Sequence, residues 1–296
     1  MNKVLITGST GFIGSALVDY VKKNRPEYLK DVIALSTKNN PSINTILYDN
    51  VSLAIPQIEN ITDVIHLGAY TPKDNKFAND IDKCTSNIEF TKLLLQQIPD
   101  TINQFIFIST LDVYYLDGNI INEATQTEPS SLYGWSKLYC EKIVEQWCKQ
   151  NNVKCTILRL GHIYGPGEEL YLKLIPETIK KLIADVKPTI YTKGDEIRSF
   201  LHIDDCVRCI WDALNINAEY ALINIVSGNA YTIKQIVELL IQCSGKNIEP
   251  QILGNSIKTN DYIFDNSIMI EYFGKEKVDL LDGLKNEYEY IKSLMS

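Results

Sequence analysis

Residues 3–18 read KVLITGSTGFIGSALV. An apolar run of strand length passes into a glycine-punctuated turn, and the turn opens an amphipathic segment. Gly8, Gly11 and Gly14 stand in G-x-x-G-x-x-G register. That placement asks for a positive-φ turn, a backbone able to approach a pyrophosphate, and a helix packed hard on its strand with N–H groups facing phosphate. The stretch therefore predicts a βα unit that holds a dinucleotide. A glycine triplet outside a strand–turn–helix context would carry far less.

The alternation continues downstream. DVIALS (31–36), NTILYD (44–49), DVIHLGA (63–69), QFIFIST (104–110) and KCTILRLG (154–161) read as strands. Helical stripes run from Phe12 to just before Pro26, over 86–98 and over 132–150, the last after a polar loop (114–131) whose EPSS end suits a cap. HIYGPGEE (162–169) reads as a loop, 175–184 as a helix, and PTIYTKGDEIRSFLH (188–202) as irregular or strand-like. A helix over 204–214, a strand at LINIVSG (222–228), and helices over 232–243 and 280–294 follow. The fold expected is α/β: a doubly wound parallel (Rossmann) sheet with a smaller α/β C-terminal part. Residues 1–165 form its dinucleotide-binding domain, with segments near 190–228 returning to it, and 166–296 are mainly substrate-binding.

With 296 residues, 45% hydrophobic and 22% charged, the chain has the composition of a globular protein with a sizeable core. Its net charge of −8 and the absence of any Lys/Arg run beyond a pair speak against nucleic acid and anionic membranes as partners. The N-terminus lacks a signal-peptide apolar region, and no apolar run approaches the ~20 residues of a spanning helix, so a cytoplasmic location is expected. Seven cysteines without framework spacing read as reduced thiols. Cys206-Val-Arg-Cys209 reads as helix packing, and the dispersed His66, His162 and His202 give no metal-ligand pattern, so no metal is expected.

The second informative stretch is YGWSK, 133–137. Tyr133 and Lys137 are i and i+4 on a helix and share a face. A phenol near its ordinary pKa of about 10 is a poor acid–base catalyst at neutral pH, and an adjacent ammonium would stabilise the phenolate. The dinucleotide is read from the end of the second strand, where an acid would favour NAD(H) and a base NADP(H). Here Ser36, Thr37 and Lys38 carry no acid, which favours NADP(H) over NAD(H).

The chain resembles the extended short-chain dehydrogenases/reductases of the nucleotide-sugar epimerase/dehydratase/reductase family. The resemblance lies in TGSTGFIG (7–14), HLGA (66–69), Asn87, FISTLDVYY (107–115), YGWSK, RLGHIYGPG (159–167), RSFLHIDD (198–205) and INIVSG (223–228). It implies Tyr133, Lys137 and Thr110 as catalytic residues. It implies a cofactor site of Gly8, Thr10, Gly11, Phe12, Ile13, Gly14, Ser36, Lys38, Leu67, Gly68, Ala69 and Asn87 with Tyr133 and Lys137. The substrate would meet Thr71, Thr110, Asp112, Tyr133, His162 and Arg198, the last against its diphosphate.

Dehydratases of this family follow the threonine with an acid–base pair, whereas Leu111 follows Thr110 here, which argues against water elimination. The expected reaction is reduction of a nucleotide-linked 4-keto-6-deoxy sugar, with Tyr133 as acid. A 4-epimerase that retains NAD is the alternative, and a non-catalytic dinucleotide sensor a remote one. The resemblance also implies a homodimer through helices near 87–98 and 132–150, with Phe90 and Trp147 as apolar residues outside the core-facing stripe.

Overall fold

The computed structural model describes residues 3–49, 54–116, 118, 120–255 and 260–296, so residues 117 and 119 of the loop expected over 114–131 lie outside the described residues. The chain runs β1 (Val4–Thr7), α1 (Phe12–Asn24), β2 (Val32–Ser36), β3 (Asn44–Leu47), β4 (Asp63–His66), α2 (Ile81–Gln97), β5 (Gln104–Thr110), α3 (Leu132–Asn151) and β6 (Lys154–Leu160). It continues through β7 (His162–Tyr164), α4 (Leu174–Ile183), β8 (Thr189–Ile190), β9 (Ile197–Arg198), β10 (Phe200–His202), α5 (Ile203–Asp212) and β11 (Tyr220–Ile225). The last elements are β12 (Tyr231–Thr232), α6 (Ile233–Ser244), β13 (Gln251–Ile252), α7 (Ser267–Phe273) and α8 (Leu280–Met295).

Seven strands form one sheet in the order β11-β6-β5-β4-β1-β2-β3, every neighbouring pair parallel. β1, β4 and β5 bury every residue, because a parallel sheet is covered on both faces. On one face Leu17, Val18 and Val21 of α1 pack with Cys206, Cys209 and Ile210 of α5, so the Cys-x-x-Cys pair is core packing. On the other, Leu94 and Leu95 of α2 meet Cys140, Val144 and Cys148 of α3. A separate core joins α4, α6 and α8 through Ile175, Ile179, Ile236, Leu240, Leu284 and Ile291. The doubly wound parallel sheet expected from the sequence is thus present.

Local expectations were corrected in three places. The segment expected to be a loop at 162–169 begins as β7, which pairs in parallel with β10. The stretch 188–202, expected to be irregular or strand-like, holds three short strands, β8, β9 and β10, each paired with a distant segment. α2 starts at Ile81 rather than near Ser86, because Asp80 caps it by accepting from the Lys83 amide at 3.1 Å. Its opening turns bury Cys84 and Asn87 rather than large apolar side chains, so their periodicity is faint. Phe90 is a core residue, 6% exposed and stacked on Tyr48 at 5.2 Å, and Trp147 leans on Phe105, so neither is an outward apolar residue.

α3 is tied to the sheet by a buried polar cluster. Glu141 accepts from Arg159 Nε at 2.9 Å and Nη2 at 2.7 Å, and also from Ser109 Oγ of β5. The Arg159 guanidinium stands 4.7 Å over the Tyr114 ring. The bidentate geometry fixes both the rotation and the height of α3 against β5 and β6. Glu141→Leu strands the arginine charge in the core and should lower the unfolding free energy by about 3–5 kcal/mol. Pairing it with Arg159→Met should recover a large part of the loss in urea titrations.

Candidate active site

The functional side chains gather at the C-terminal ends of the parallel strands, where open α/β sheets bind ligands. The turn after β1 comes first. Gly8 has φ +70°, and a Cβ on it would stand 2.8 Å from the Gly68 nitrogen behind β4. At Gly14 a Cβ would meet the Gly8 carbonyl oxygen at 2.1 Å, so α1 can lie this close to β1 only without a side chain. Gly11 is the N-cap of α1 with no side-chain cap hydrogen bond, and the first turn carries no acid. Its amides and positive end of the dipole are thus left to an anion. Ser9 Oγ is buried without a hydrogen-bond partner in the same turn. The cradle fits a dinucleotide pyrophosphate.

Around it, Thr10 and Gly11 are exposed and Phe12 and Ile13 half-buried. Ser36 is buried at the tip of β2, where its hydroxyl accepts from the Lys38 amide at 3.2 Å and lies 3.5 Å from Thr10 Oγ1, while the Lys38 residue is exposed. Leu67, Gly68 and Ala69 follow β4 as half-buried backbone facing the turn. Gly68 N donates to Thr7 Oγ1 at 2.8 Å, and Thr7 Oγ1 lies 2.7 Å from His66 Nδ1, whose other nitrogen is 3.0 Å from Thr91 Oγ1. Burial, helped by Lys137, depresses His66 to about 3, so it is a neutral bracket between β1, β4 and α2. Asn87 accepts from Tyr70 N at 2.6 Å and donates to Ser136 Oγ at 3.1 Å, joining the loop after β4 to α3.

Tyr133 lies in the first turn of α3, whose N-cap Ser131 accepts from the Gly134 amide at 3.1 Å. It is 7% exposed, and the side chains of Thr71 and Thr110 lie near enough to its phenol to favour the ionised form. Burial foremost, then the Asp112 carboxylate, pushes the phenol well above its ordinary pKa; the two threonines pull the other way. Lys137 is 4% exposed with its Nζ 4.3 Å from the Phe107 ring centroid. Burial lowers its ammonium to about 8. Desolvation dominates, so in the free protein Tyr133 holds its proton.

Thr110 closes β5, and Thr110 Oγ1 accepts from the Asp112 amide at 3.3 Å. Asp112 is exposed to solvent, yet the surrounding protein still raises its carboxyl, Lys173 opposing. Across the cleft His162 packs edge-on against Tyr262 at 5.0 Å, and the Arg198 guanidinium lies over the same ring at 4.8 Å. Arg198 Nη1 also donates to the carbonyls of Ile197 at 2.8 Å and Asn260 at 2.7 Å. Burial foremost, then Lys173 and Arg198, depress His162 to about 3, and its Nδ1 is buried without a partner.

The structure thus brings Thr71, Thr110, Asp112 and Tyr133 together, and sets both His162 and Arg198 against Tyr262. Ser36 and Lys38 stand apart, three strand spacings from β5, roughly 14 Å, as the far end of an extended cofactor would require. Sequence reasoning missed Tyr262, Tyr171 and Lys173, which border the cleft, and the Thr7–His66–Thr91 bracket. Tyr171 lies 6.1 Å from Phe12 of the glycine turn, and its phenol also bears on Tyr133 electrostatically. Among the described residues no group of three His, Cys, Asp or Glu could hold a metal ion, and no helix is long and apolar enough to cross a membrane.

A family model described as "NAD dependent epimerase/dehydratase family" matches residues 4–225. The dTDP-D-glucose 4,6-dehydratase of Dictyostelium discoideum is 30% identical over 76% of the chain, which spans 60% of that protein's length. An uncharacterised UDP-glucose epimerase of Bacillus subtilis is 26% identical over 99% of the chain and 98% of its own. The crystal structure of UDP-glucuronic acid 4-epimerase from Bacillus cereus, in complex with UDP-glucuronic acid and NAD, superposes with a TM-score of 0.83 at 28% identity, covering 99% of each chain.

The glycine geometry predicts a contrast. Gly14→Ala, with its Cβ 2.1 Å from Gly8 O, should lower Tm by several degrees or more. Gly11→Ala meets the same oxygen at an ordinary 3.4 Å and should unfold within about 2 °C of wild type in calorimetry.

Proposed function

The chain belongs to the NAD-dependent epimerase/dehydratase family, a family of enzymes acting on nucleotide sugars, and from that premise we propose that it is an NAD-dependent 4-epimerase of a nucleotide-activated sugar, a UDP-hexose first among them. The observation that carries this reading is the buried Tyr133 phenol near Thr71 and Thr110, on the helix face shared with Lys137, with Leu111 standing where elimination would need an acid. Full-length likeness to a UDP-glucuronic acid 4-epimerase holding NAD supports it.

Gly8, Gly11 and Gly14 would hold the pyrophosphate, Ser36 and Lys38 the adenosine end, and Gly68, Tyr133 and Lys137 the nicotinamide end. When bound, the nicotinamide supplies reversible hydride exchange with the sugar carbon. Tyr133, protonated in the free protein, must first release its proton to solvent, which the Lys137 ammonium favours; as the phenolate it takes the C4 hydroxyl proton while hydride leaves that carbon, and it returns the proton when the carbonyl is reduced. Thr110 and Thr71 hold that oxygen in line. Lys137, cationic at neutral pH with its ammonium lowered to about 8, offsets the charge left on the phenol oxygen. Arg198 and Tyr262 would hold the diphosphate end, so the sugar can present either face to Tyr133.

A second reading, reduction of a 4-keto-6-deoxy sugar by NADPH, is favoured by one observation, the acid-free tip of β2 with Ser36 buried and the Lys38 residue exposed. Cofactor released on denaturation separates the two. Near-stoichiometric NAD(H) supports the epimerase; an empty site with NADPH consumed by keto sugars supports the reductase. We further propose a homodimer through α2 and α3, whose exposed Ile81, Trp135 and Tyr139 suit a partner surface; a one-chain mass in light scattering would contradict it.

Tyr133→Phe should lower kcat by about 10²–10⁴-fold and change KM by no more than a few-fold. Because burial lowers Lys137 from 10.5 to about 8, its charge is lost as pH rises through that value. The kcat/KM profile should fall on the alkaline side near there, and Lys137→Arg should move that limb upward.

A further inference from the structure

We propose that Asp261 is a positioning residue for the diphosphate end of the cleft: its carboxylate clips β9 to segment 260–265, and the clip presents the Arg198 guanidinium with one edge free for phosphate oxygens. The inference deepens the proposed function and rests on it in one respect, that Arg198 is taken to meet the diphosphate.

β9 is two residues long and pairs with β12 on one edge, Tyr231 opposite Arg198 and Thr232 opposite Ile197. A two-stranded ladder of that length has little stability of its own. Segment 260–265 completes the other edge. Ile197 N donates to Asp261 Oδ1 at 2.8 Å, and Ile197 O accepts from Tyr262 N at 3.0 Å. Both backbone groups of Ile197 are therefore satisfied by the segment, and a side-chain carboxylate stands where a third strand would offer a carbonyl. A charged acceptor makes the stronger bond of the two.

The clip bears directly on Arg198. Its Nη1 donates to Ile197 O at 2.8 Å and to Asn260 O at 2.7 Å, so the carbonyls that hold it come from the two chains that Asp261 joins. The guanidinium also lies 4.8 Å from the Tyr262 ring centroid. One nitrogen and one face of the fork are thus fixed by protein. Nε and Nη2 have no hydrogen-bond partner among the described residues, and together they form an edge able to bind two oxygens of one phosphate in parallel. Were Ile197 and Asn260 free to separate, Nη1 would lose one carbonyl and the fork would swing.

The carboxylate works through its hydrogen bond more than through its charge. Burial foremost lowers the guanidinium, and of the groups that oppose this Asp261 comes last, behind Tyr262 and Glu196.

The same segment reaches the catalytic residues. Ile263 O accepts from Ile121 N at 2.8 Å, and Asp265 N donates to Ile121 O at 3.0 Å. Phe264, 5% exposed, shares a buried cluster with Leu111, Val113 and Leu138. Leu111 follows Thr110 in the chain, and Leu138 follows Lys137. Segment 260–265 therefore carries a fixed reference from the catalytic residues to Arg198, and Asp261 is where it grips the strand that bears the arginine.

The test compares wild type with Asp261→Ala and Asp261→Asn. Asparagine keeps an oxygen for the Ile197 amide and removes the charge, whereas alanine removes both. In titration calorimetry with UDP, Asp261→Ala should bind about tenfold more weakly than wild type, and Asp261→Asn within about threefold of it. With UDP-glucose and UDP-glucuronic acid as substrates, KM should rise in the same order while kcat stays within about twofold. Wild-type affinity in Asp261→Ala would overturn the inference. So would an Asp261→Asn variant as weak as Asp261→Ala, because the charge and not the clip would then be responsible. Hydrogen exchange of the ligand-free proteins gives a second arm: peptides covering 196–202 should exchange several-fold faster in Asp261→Ala than in wild type, and equal rates would overturn the clip. Failure of wild type to bind UDP contradicts the proposed function instead, and the exchange rates then still decide whether Asp261 grips the strand of Arg198.

Discussion

The close approach of three backbone segments at the head of the sheet constrains everything else in the site. The turn after β1, the start of α1 and the chain behind β4 meet where Gly8, Gly14 and Gly68 have no room for a Cβ. Thr7 and His66 then lock β1 to β4 by hydrogen bonds rather than by packing. This closeness leaves the first amides of α1 without a protein partner and turns a structural economy into an anion site. A bulkier turn would fold less tightly and hold a dinucleotide further from α3.

α3 supplies the second half of the arrangement, and its placement is set by charge as well as by apolar contact. Glu141, Arg159 and Ser109 hold it against β5 and β6, while Asn87 and Ser136 hold it against α2. Tyr133 and Lys137 are consequently carried into protein rather than solvent. Burial then dictates their states in opposite directions, the phenol keeping its proton and the ammonium loosening its own. That pairing leaves a proton donor at rest, which becomes the base for sugar oxidation only after it has given up its proton beside the Lys137 ammonium.

Legibility in the sequence followed the range of the interactions. VLIT, DVIH and QFIFIST read as strands because a doubly covered parallel sheet leaves their character continuous, and the glycine turn is encoded in adjacent residues. Tyr133, Lys137, Thr110, Asp112, His162 and Arg198 were visible as residue types in known spacing. Their environments were not. Tyr262 reaches His162 and Arg198 from a segment far along the chain, and Lys173 and Tyr171 lie in a segment with no periodicity. The stretch 188–202 was legible only as irregular or strand-like, because two- and three-residue ladders carry no pattern of their own. Phe90 looked outward on a helical wheel until Tyr48 and His66 were found to surround it.

The central claim is that the glycine turn and the Tyr133 face of α3 form one site for reversible oxidation and reduction at a single sugar carbon. Proton NMR of purified protein with UDP-glucose or UDP-glucuronic acid, without added reductant, tests it most directly. The account predicts that the C4 epimer grows in to a fixed ratio, reached from either epimer, with no net change in cofactor absorbance at 340 nm. Starting sugars left unchanged by a protein that carries bound NAD would contradict it.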